Sequence, residues 1–281
     1  MNQLLYICVV FLFVAFVYIH VLFHLKVNNL LDVRTIQITG KEDFEEQCDK
    51  RLPFISYYNN LIMNNTFSPS HLLNNYKSFQ LNSDVPEKIG DVFGKDNFLT
   101  SNNEAFLSDS DTLMKINTED NFLRPSFTCY KNYDLTMGKN TTTNFVSPLC
   151  FRTFLYICHG NVEIYLCPPK SIKFLNYTYN YETFVNESTM DPFDEATQSS
   201  DAFDRIKPLR LTIKQGELLF IPSSWYYSYK IVDTSAIITM QYRSLMNLVA
   251  LTPNYINYIY NKVVVDKNRF DGISETIPEN S

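Results

Sequence analysis

The sequence predicts a mainly β chain: a double-sheet jelly roll with helical additions on its N-terminal side, preceded by one transmembrane helix. Three observations carry that expectation. The 281 residues include 22 Phe and 19 Tyr with a single Trp, a composition that favours strands and argues against a disordered chain. Short apolar segments separated by Gly and Pro turns crowd residues 127–246, as in double-sheet β architectures. Residues 4–25 form one unbroken apolar run.

That run, LLYICVVFLFVAFVYIHVLFHL from Leu4 to Leu25, carries no formal charge apart from the titratable His20 and His24. As a helix it measures about 33 Å, close to the thickness of a bilayer core. A cleaved signal peptide has a shorter apolar region, a basic start and a small-residue cleavage site. Here no basic residue precedes the run, and bulky residues followed by Lys26 end it. The segment is therefore expected to be a retained signal-anchor, with the lipid bilayer as partner through residues 4–25. The side of the main domain stays open. Lys26 and Arg34 after the helix weakly favour the cytosol, whereas sequons at Asn64, Asn140, Asn176 and Asn186 suit a lumenal glycoprotein. Anchor, sequons and a composition of AT-biased character together suit an envelope component of a virus or parasite.

About 250 residues follow the anchor, enough for one large core or two small ones. The net charge is −6 and no Arg/Lys cluster occurs, so nucleic acid is not an expected partner; a protein partner is left open. Beyond Cys8, the cysteines are Cys48, Cys129, Cys150, Cys158 and Cys167, without a CxxC pair. That spacing is not a zinc site, and Cys150, Cys158 and Cys167 in apolar strands read as buried thiols.

Element by element, VRTIQIT alternates as an entry strand, and Lys41 to Lys50 forms a short polar helix with Phe44 inward. LPFISYY resumes extended structure. A further helix starts at Ser68-Pro69-Ser70, with proline in its first turn. Residues 82–126 read as two or three short strands and loops. Phe151 to Cys158 is a strand; His159-Gly160-Asn161 turns it into VEIYLC, which Pro168-Pro169 stops. Residues 176–207 read as an acidic surface insertion with a short helix, in which Asp191, Asp194 and Glu195 are a solvated cluster rather than a calcium site. LRLTIKQGELLFIP is strand, Gly216 turn and strand; WYYSYKI and TSAIITMQY complete an antiparallel run. A helix is expected from Asn247 to about Tyr260, and a polar tail follows Asp266. The chain thus divides into an anchor (1–25), helices and strands packing on the barrel (26–126), a jelly-roll core (127–246), and a C-terminal helix with a loose tail (247–281).

At LTIKQGELLFIPSSWYYSYKI the chain resembles the cupin-like, Jumonji C-type family of iron- and 2-oxoglutarate-dependent oxygenases. Its members carry a strand, a PGD turn, a buried LFIP strand, and two aromatics before a histidine. CHGNVEIYLCPPKSIKFL is similar to the family's central hairpin, and DFEEQCDKRLPFI to its entry helix and first strand. The resemblance covers roughly residues 31–245. It implies a double-stranded β-helix with Fe(II) and 2-oxoglutarate as cofactors. Iron held for oxygen activation needs two imidazoles and a carboxylate. Carried over by position, the first histidine and the carboxylate fall on Ser147 and Leu149, the second histidine on Tyr227 and the cosubstrate lysine on Val162. His71 and His159 are the only histidines after the anchor, and Asp134 is a lone inward candidate carboxylate.

The resemblance therefore implies a degenerate member, a pseudoenzyme with no catalytic residue, no metal ligand and no cofactor. Ser147, Leu149, Val162 and Tyr227 would line its vestigial pocket. Two alternatives stand beside it. One is an oxygenase of protein-hydroxylase or demethylase type with an atypical ligand set, keeping Fe(II) and 2-oxoglutarate. The other is a small-ligand-binding barrel lined by Ser223, Trp225 and Tyr229, although Trp225 reads first as a core plug. Cys158 and His159 are adjacent in a strand and face opposite ways, which excludes a Cys-His pair. No phosphate loop, nucleophile elbow or HExxH is present.

Overall fold

The computed structural model describes residues 2–82, 85–180, 183–260 and 263. Helix α1 (Asn2–Leu25) is long and apolar enough to cross a membrane by length and composition. After it come β1 (Arg34–Ile36), α2 (Lys41–Asp49), β2 (Phe54–Tyr57), α3 (Leu61–Thr66), α4 (Pro69–Asn75), β3 (Gln80–Leu81) and β4 (Glu87–Lys88). Then α5 (Ile89–Val92), β5 (Phe98–Thr100), α6 (Glu104–Asp109) and α7 (Thr112–Glu119) complete the N-terminal part. Asn60 and Ser68 cap α3 and α4 by accepting from the amides of Met63 and His71, which satisfies donors that have no partner inside the helix.

Residues 82–126 hold two of the expected short strands, β4 and β5, but also three helices, α5, α6 and α7, where only loops were expected. Each is only four to eight residues long, too short for a helical period to show. Their buried residues, among them Val92, Leu107 and Ile116, reach the core one or two at a time.

The strands of the core are β6 (Thr128–Lys139), β7 (Thr141–Thr142), β8 (Val146–Pro148), β9 (Arg152–His159), β10 (Asn161–Cys167), β11 (Tyr177–Asn180) and β12 (Val185–Ser188). Helices α8 (Glu195–Gln198) and α9 (Asp201–Ile206) lead into β13 (Leu209–Lys214), β14 (Glu217–Pro222), β15 (Tyr226–Ile231), β16 (Ser235–Ser244) and α10 (Leu245–Ala250), and residues 252–260 are again helical. Among the described residues the strands build two seven-stranded sheets. One has the order β1-β2-β14-β9-β16-β6-β5; the other is β11-β12-β8-β15-β10-β13, with β7 beside β15. Pairing is antiparallel except between β1 and β2. The hairpin between β9 and β10 turns on Gly160 at φ +80, where a side chain would run into Ser235 and the Thr234 carbonyl.

The insertion at 176–207 departs from the expected surface loop. Strands β11 (Tyr177–Asn180) and β12 (Val185–Ser188) pair antiparallel and extend the second sheet through β8. Their buried positions, Asn186 and Ser188, are polar, so no apolar alternation marks them in the sequence.

The first sheet is covered on both faces. Outside, Phe154, Tyr156 and Cys158 of β9 join Phe220, Met240 and Tyr242 beneath Phe44, Met63, Leu72 and Phe106 of the N-terminal helices. Inside, Leu155 and Ile157 meet Val162, Ile164 and Leu166 of β10. A smaller cluster of Phe145, Tyr165, Ile206 and Tyr226 covers the outer face of the second sheet.

One polar group ties the N-terminal helices to the first sheet. The fully buried carboxylate of Asp120 accepts from the hydroxyls of Tyr133 and Tyr242, both at 2.6 Å, and pairs with Arg124 at 2.5 Å. Removing it leaves the buried Tyr242 hydroxyl without an acceptor and takes from Tyr133 and Arg124 one they share, leaving both only Asn117. Asp120→Ala is expected to lower the unfolding free energy by about 3 kcal/mol, and Tyr133→Phe by about 1 kcal/mol. Denaturant titration of the detergent-solubilised chain measures both, and equal effects would refute the tie.

Candidate functional site

The space between the two sheets has two ends. β9 runs from Arg152 to His159 and β10 returns to Cys167. Arg152 therefore marks one end and His159 the other. At the Arg152 end, Pro222 and Tyr242 pair with Arg152, and Tyr226 pairs with Cys167. Ser147, Leu149 and Tyr227 belong to this end, whereas Val162 lies one residue into β10 from the other.

Tyr227 faces the interior and is packed with Trp225, Tyr229 and Ile221. It pairs with Leu166 on one side and Val146 on the other. Paired residues share a face of the sheet, so Val146 lies beside Tyr227 and the next residue, Ser147, turns to the opposite face. There Ser147 pairs with Asn186, fully buried, its Oγ without a hydrogen-bond partner. Leu149 contributes its backbone: its amide donates to the Phe184 carbonyl at 2.9 Å, and its carbonyl accepts from Arg243 Nε at 3.1 Å. Val162 pairs with Ile213 and Ile231 inside the aliphatic cluster. The four positions named by the resemblance do not converge.

The polar groups at this end come mostly from elsewhere. On β6, Tyr133, Leu135 and Met137 face outward, and alternation turns Asp134 and Thr136 inward. Asp134 accepts from the Asn103 amide at 2.7 Å and from Thr136 Oγ1 at 3.3 Å. Burial nevertheless holds its carboxyl above the usual range. Burial also pushes the Tyr227 and Tyr229 hydroxyls up, and the charge of Asp134 adds to the shift. The buried Cys150 thiol, raised by the same cause, lies 3.6 Å from Gln241 Oε1.

Arg243 closes the end. It is 7% exposed. Its Nη1 donates to the Tyr255 hydroxyl at 3.2 Å, and its guanidinium lies over the rings of Tyr130 and Phe184 at 4.6 and 5.4 Å. Phe184 in turn contacts Tyr255 and Tyr258 of the last helical segment at 4.8 and 5.6 Å. The sequence contained one signal of this: in SAIITMQYRS the inward alternation Ile237, Thr239, Gln241 leads directly to Arg243, the one charge of β16.

Of the remaining predicted residues, Trp225 is a core plug whose indole N–H has no partner, Tyr229 lines the interior, and Ser223 is half-buried at the turn. Asp191 accepts from Thr142 Oγ1 at 2.6 Å and from the Phe193 amide at 2.8 Å, while Asp194 caps α8. The acidic cluster thus serves as turn and cap. The sequons separate into exposed Asn140 and Asn176 and buried Asn64 and Asn186. All six cysteines are unpaired.

Iron coordination can be tested against these residues. His71 lies on α4 with its ring 3.2 Å from Asn75 Nδ2, and His159 is at the far end of β9. Among the described residues no three His, Cys, Asp or Glu side chains gather where they would hold a metal. A serine, a leucine and a tyrosine at the ligand positions do not fit a facial triad.

The raised carboxyl of Asp134 has a consequence for stability. The folded state holds the proton more tightly than the unfolded chain. The favourable contribution is therefore complete below the ordinary carboxylate pKa and is lost as pH rises through the folded value. Asp134→Asn, which stays neutral, should gain stability over the parent as pH is raised from about 4 towards 7. Thermal unfolding of both proteins across that range tests this, and a constant difference would contradict it.

Comparison with curated proteins gives no match. A protein-family model described as a cupin-like domain matches residues 41–247, from the first residue of α2 to the start of α10. The match spans the cover helices and both sheets together, and the chain belongs to the cupin-like domain family.

Proposed function

We propose that the two sheets are the halves of a double-stranded β-helix, and that the chain is a membrane-anchored, non-catalytic cupin-like protein with a structural or binding role. The strand order supports the first part: β6, β9, β14 and β16 share one sheet, while β8, β10, β13 and β15 share the other. The chain thus alternates between layers, as in a jelly roll. The length and apolar composition of α1 support the anchor.

The non-catalytic reading rests on one observation. At the positions that bind iron and cosubstrate in the resembled oxygenases, this chain carries Ser147, Leu149, Tyr227 and Val162, and the first of these turns away from the third. A fold held by apolar packing outlasts the loss of such ligands. The test is metal analysis of the detergent-purified full chain after anaerobic incubation with Fe(II), with succinate formation from 2-oxoglutarate followed in parallel. Far less than one iron per chain and no succinate are expected. Stoichiometric iron with turnover would establish an oxygenase with an unfamiliar ligand set. A small molecule co-purifying with the parent, and lost on Tyr227→Ala, would instead establish a ligand-binding barrel.

The main domain is proposed to face the cytosol. Lys26 and Arg34 directly after α1 favour that side. Cys129 is exposed and unpaired, as suits a reducing compartment. A glycan on Asn64 would attach to the Nδ2 of a buried side chain, where that atom donates to Asn59 Oδ1 at 3.3 Å. Material from a eukaryotic host should therefore show no mobility shift with glycosidase. A shift abolished by combining Asn140→Gln with Asn176→Gln would put the domain in the lumen.

A further inference from the structure

We infer that the domain itself touches the membrane: Phe127 and the helices over 245–260 enter the boundary between phospholipid headgroups and acyl chains, as a second contact beside α1. The inference rests on α1 spanning the bilayer, as proposed above.

The first support is position. The 24 residues of α1 make about 36 Å of helix against about 30 Å of hydrocarbon. Its last turn therefore falls at the boundary, and there the domain is attached. His24 Nε2 is 2.8 Å from Ser244 Oγ, and the His24 ring lies 4.6 Å from that of Phe151. The buried guanidinium of Arg51 rests over Phe23 at 5.0 Å and Phe151 at 4.4 Å. These contacts set the end of β16, and with it α10, at the level of the membrane surface.

The second support is a cleft of about 570 Å³ between anchor and domain, which Phe16 and Phe23 line on one wall and Phe127, Phe151 and Leu245 on the other. Phe16 precedes the end of α1 by nine residues, about 13 Å of helix. Domain residues that share a cleft with it reach below the headgroups. Arg152 also lines this cleft, where it is paired with Glu45 at 2.5 Å and Asp49 at 3.7 Å.

The third support is the surface. Phe127 is 88% exposed and adopts φ +56, a conformation that costs a bulky residue energy. Its carbonyl accepts from the Leu245 amide at 3.2 Å, so ring and helix move as one piece. Leu245, Val249, Ile256 and Ile259 are exposed as well, at the three- and four-residue spacings that keep one side of a helix apolar. Val249 and Ile256 flank a second cleft whose other wall is Val21 and Leu25 of α1. Tyr255 and Tyr258 meanwhile engage Arg243 and Phe184 of the domain. One side of the segment is occupied by protein, and the apolar side continues the surface of the anchor.

The test uses the full chain in phosphatidylcholine nanodiscs, with and without bromine on the acyl chains. The single native tryptophan, Trp225, is buried in the core and supplies a constant background. Tryptophan is introduced at Phe127, at Ile256, at Phe13 inside α1, and at Tyr57, an exposed residue at the opposite end of the domain. All four positions are exposed, so packing is retained. Bromine should remove about half of the added fluorescence in Phe127→Trp, Ile256→Trp and Phe13→Trp, and none in Tyr57→Trp. Quenching at Phe13→Trp without quenching at Phe127→Trp and Ile256→Trp overturns the inference and keeps the anchor. No quenching at Phe13→Trp overturns the anchor and the inference together.

Discussion

The structure depends on a sheet that cannot face water on either side. In β9 every residue from Arg152 to Cys158 is buried, because alternate side chains enter two different cores. An isolated β sandwich would leave Phe154, Tyr156, Phe220 and Tyr242 on its surface, an apolar patch far larger than a soluble domain tolerates. The helices between residues 41 and 126 are therefore part of the folding unit. Phe44 stacks on Phe154 at 5.7 Å, Phe54 packs on Phe220 at 4.9 Å, and the buried Asp120 adds direction to contacts that are otherwise non-directional. The family match follows the same logic, since it begins at residue 41 with the cover rather than at the first strand of the core.

The inner face tells the complementary story. The aliphatic residues of β9 and β10 fill the space between the sheets from the His159 end, and the polar groups gather only near Tyr227. Those groups are largely satisfied by one another: Asp134 by Asn103 and Thr136, Cys150 by Gln241, Arg243 by Leu149 and Tyr255. A buried carboxylate held by neutral donors and kept above its usual pKa is a structural acid, without the neighbouring imidazoles that would make it a ligand. The stability of the layers comes from dispersion and burial, and Tyr227 contributes to it as a buried aromatic packed with Trp225 and Ile221.

How much of this was legible in the sequence follows from what each feature depends on. Strands β9, β10 and β14 to β16 were readable because burial on one or both faces makes them continuous or alternating in apolar residues. Gly160 and the Ser68-Pro69 start of α4 were readable because their roles are local. The helices α5 to α7 were not, being shorter than the window in which a 3.6-residue period can be counted. The strand pair β11–β12 was hidden because its buried face is polar. At the site, Ser147, Leu149, Val162 and Tyr227 were visible as residue identities alone. The orientation of Ser147 was not, since it is set by the register of β8 against β15 and β12. The attachment of α1 depends on His24 meeting Ser244 across most of the chain, and nothing local announces such a contact.

The direction of the molecule relative to α1 limits what its surfaces can do. The Arg152 end of the sheets is the end at which β16 joins α10 and α1 docks, and there Arg243 meets Tyr255 of the last helical segment. The opposite end carries the half-buried His159, and on the outer flank of the second sheet Arg210 and Glu163 form an exposed ion pair at 2.6 Å. Crowding at one end and exposure at the other are thus two results of a single geometric fact: α1 docks beside the Arg152 end of the sheets.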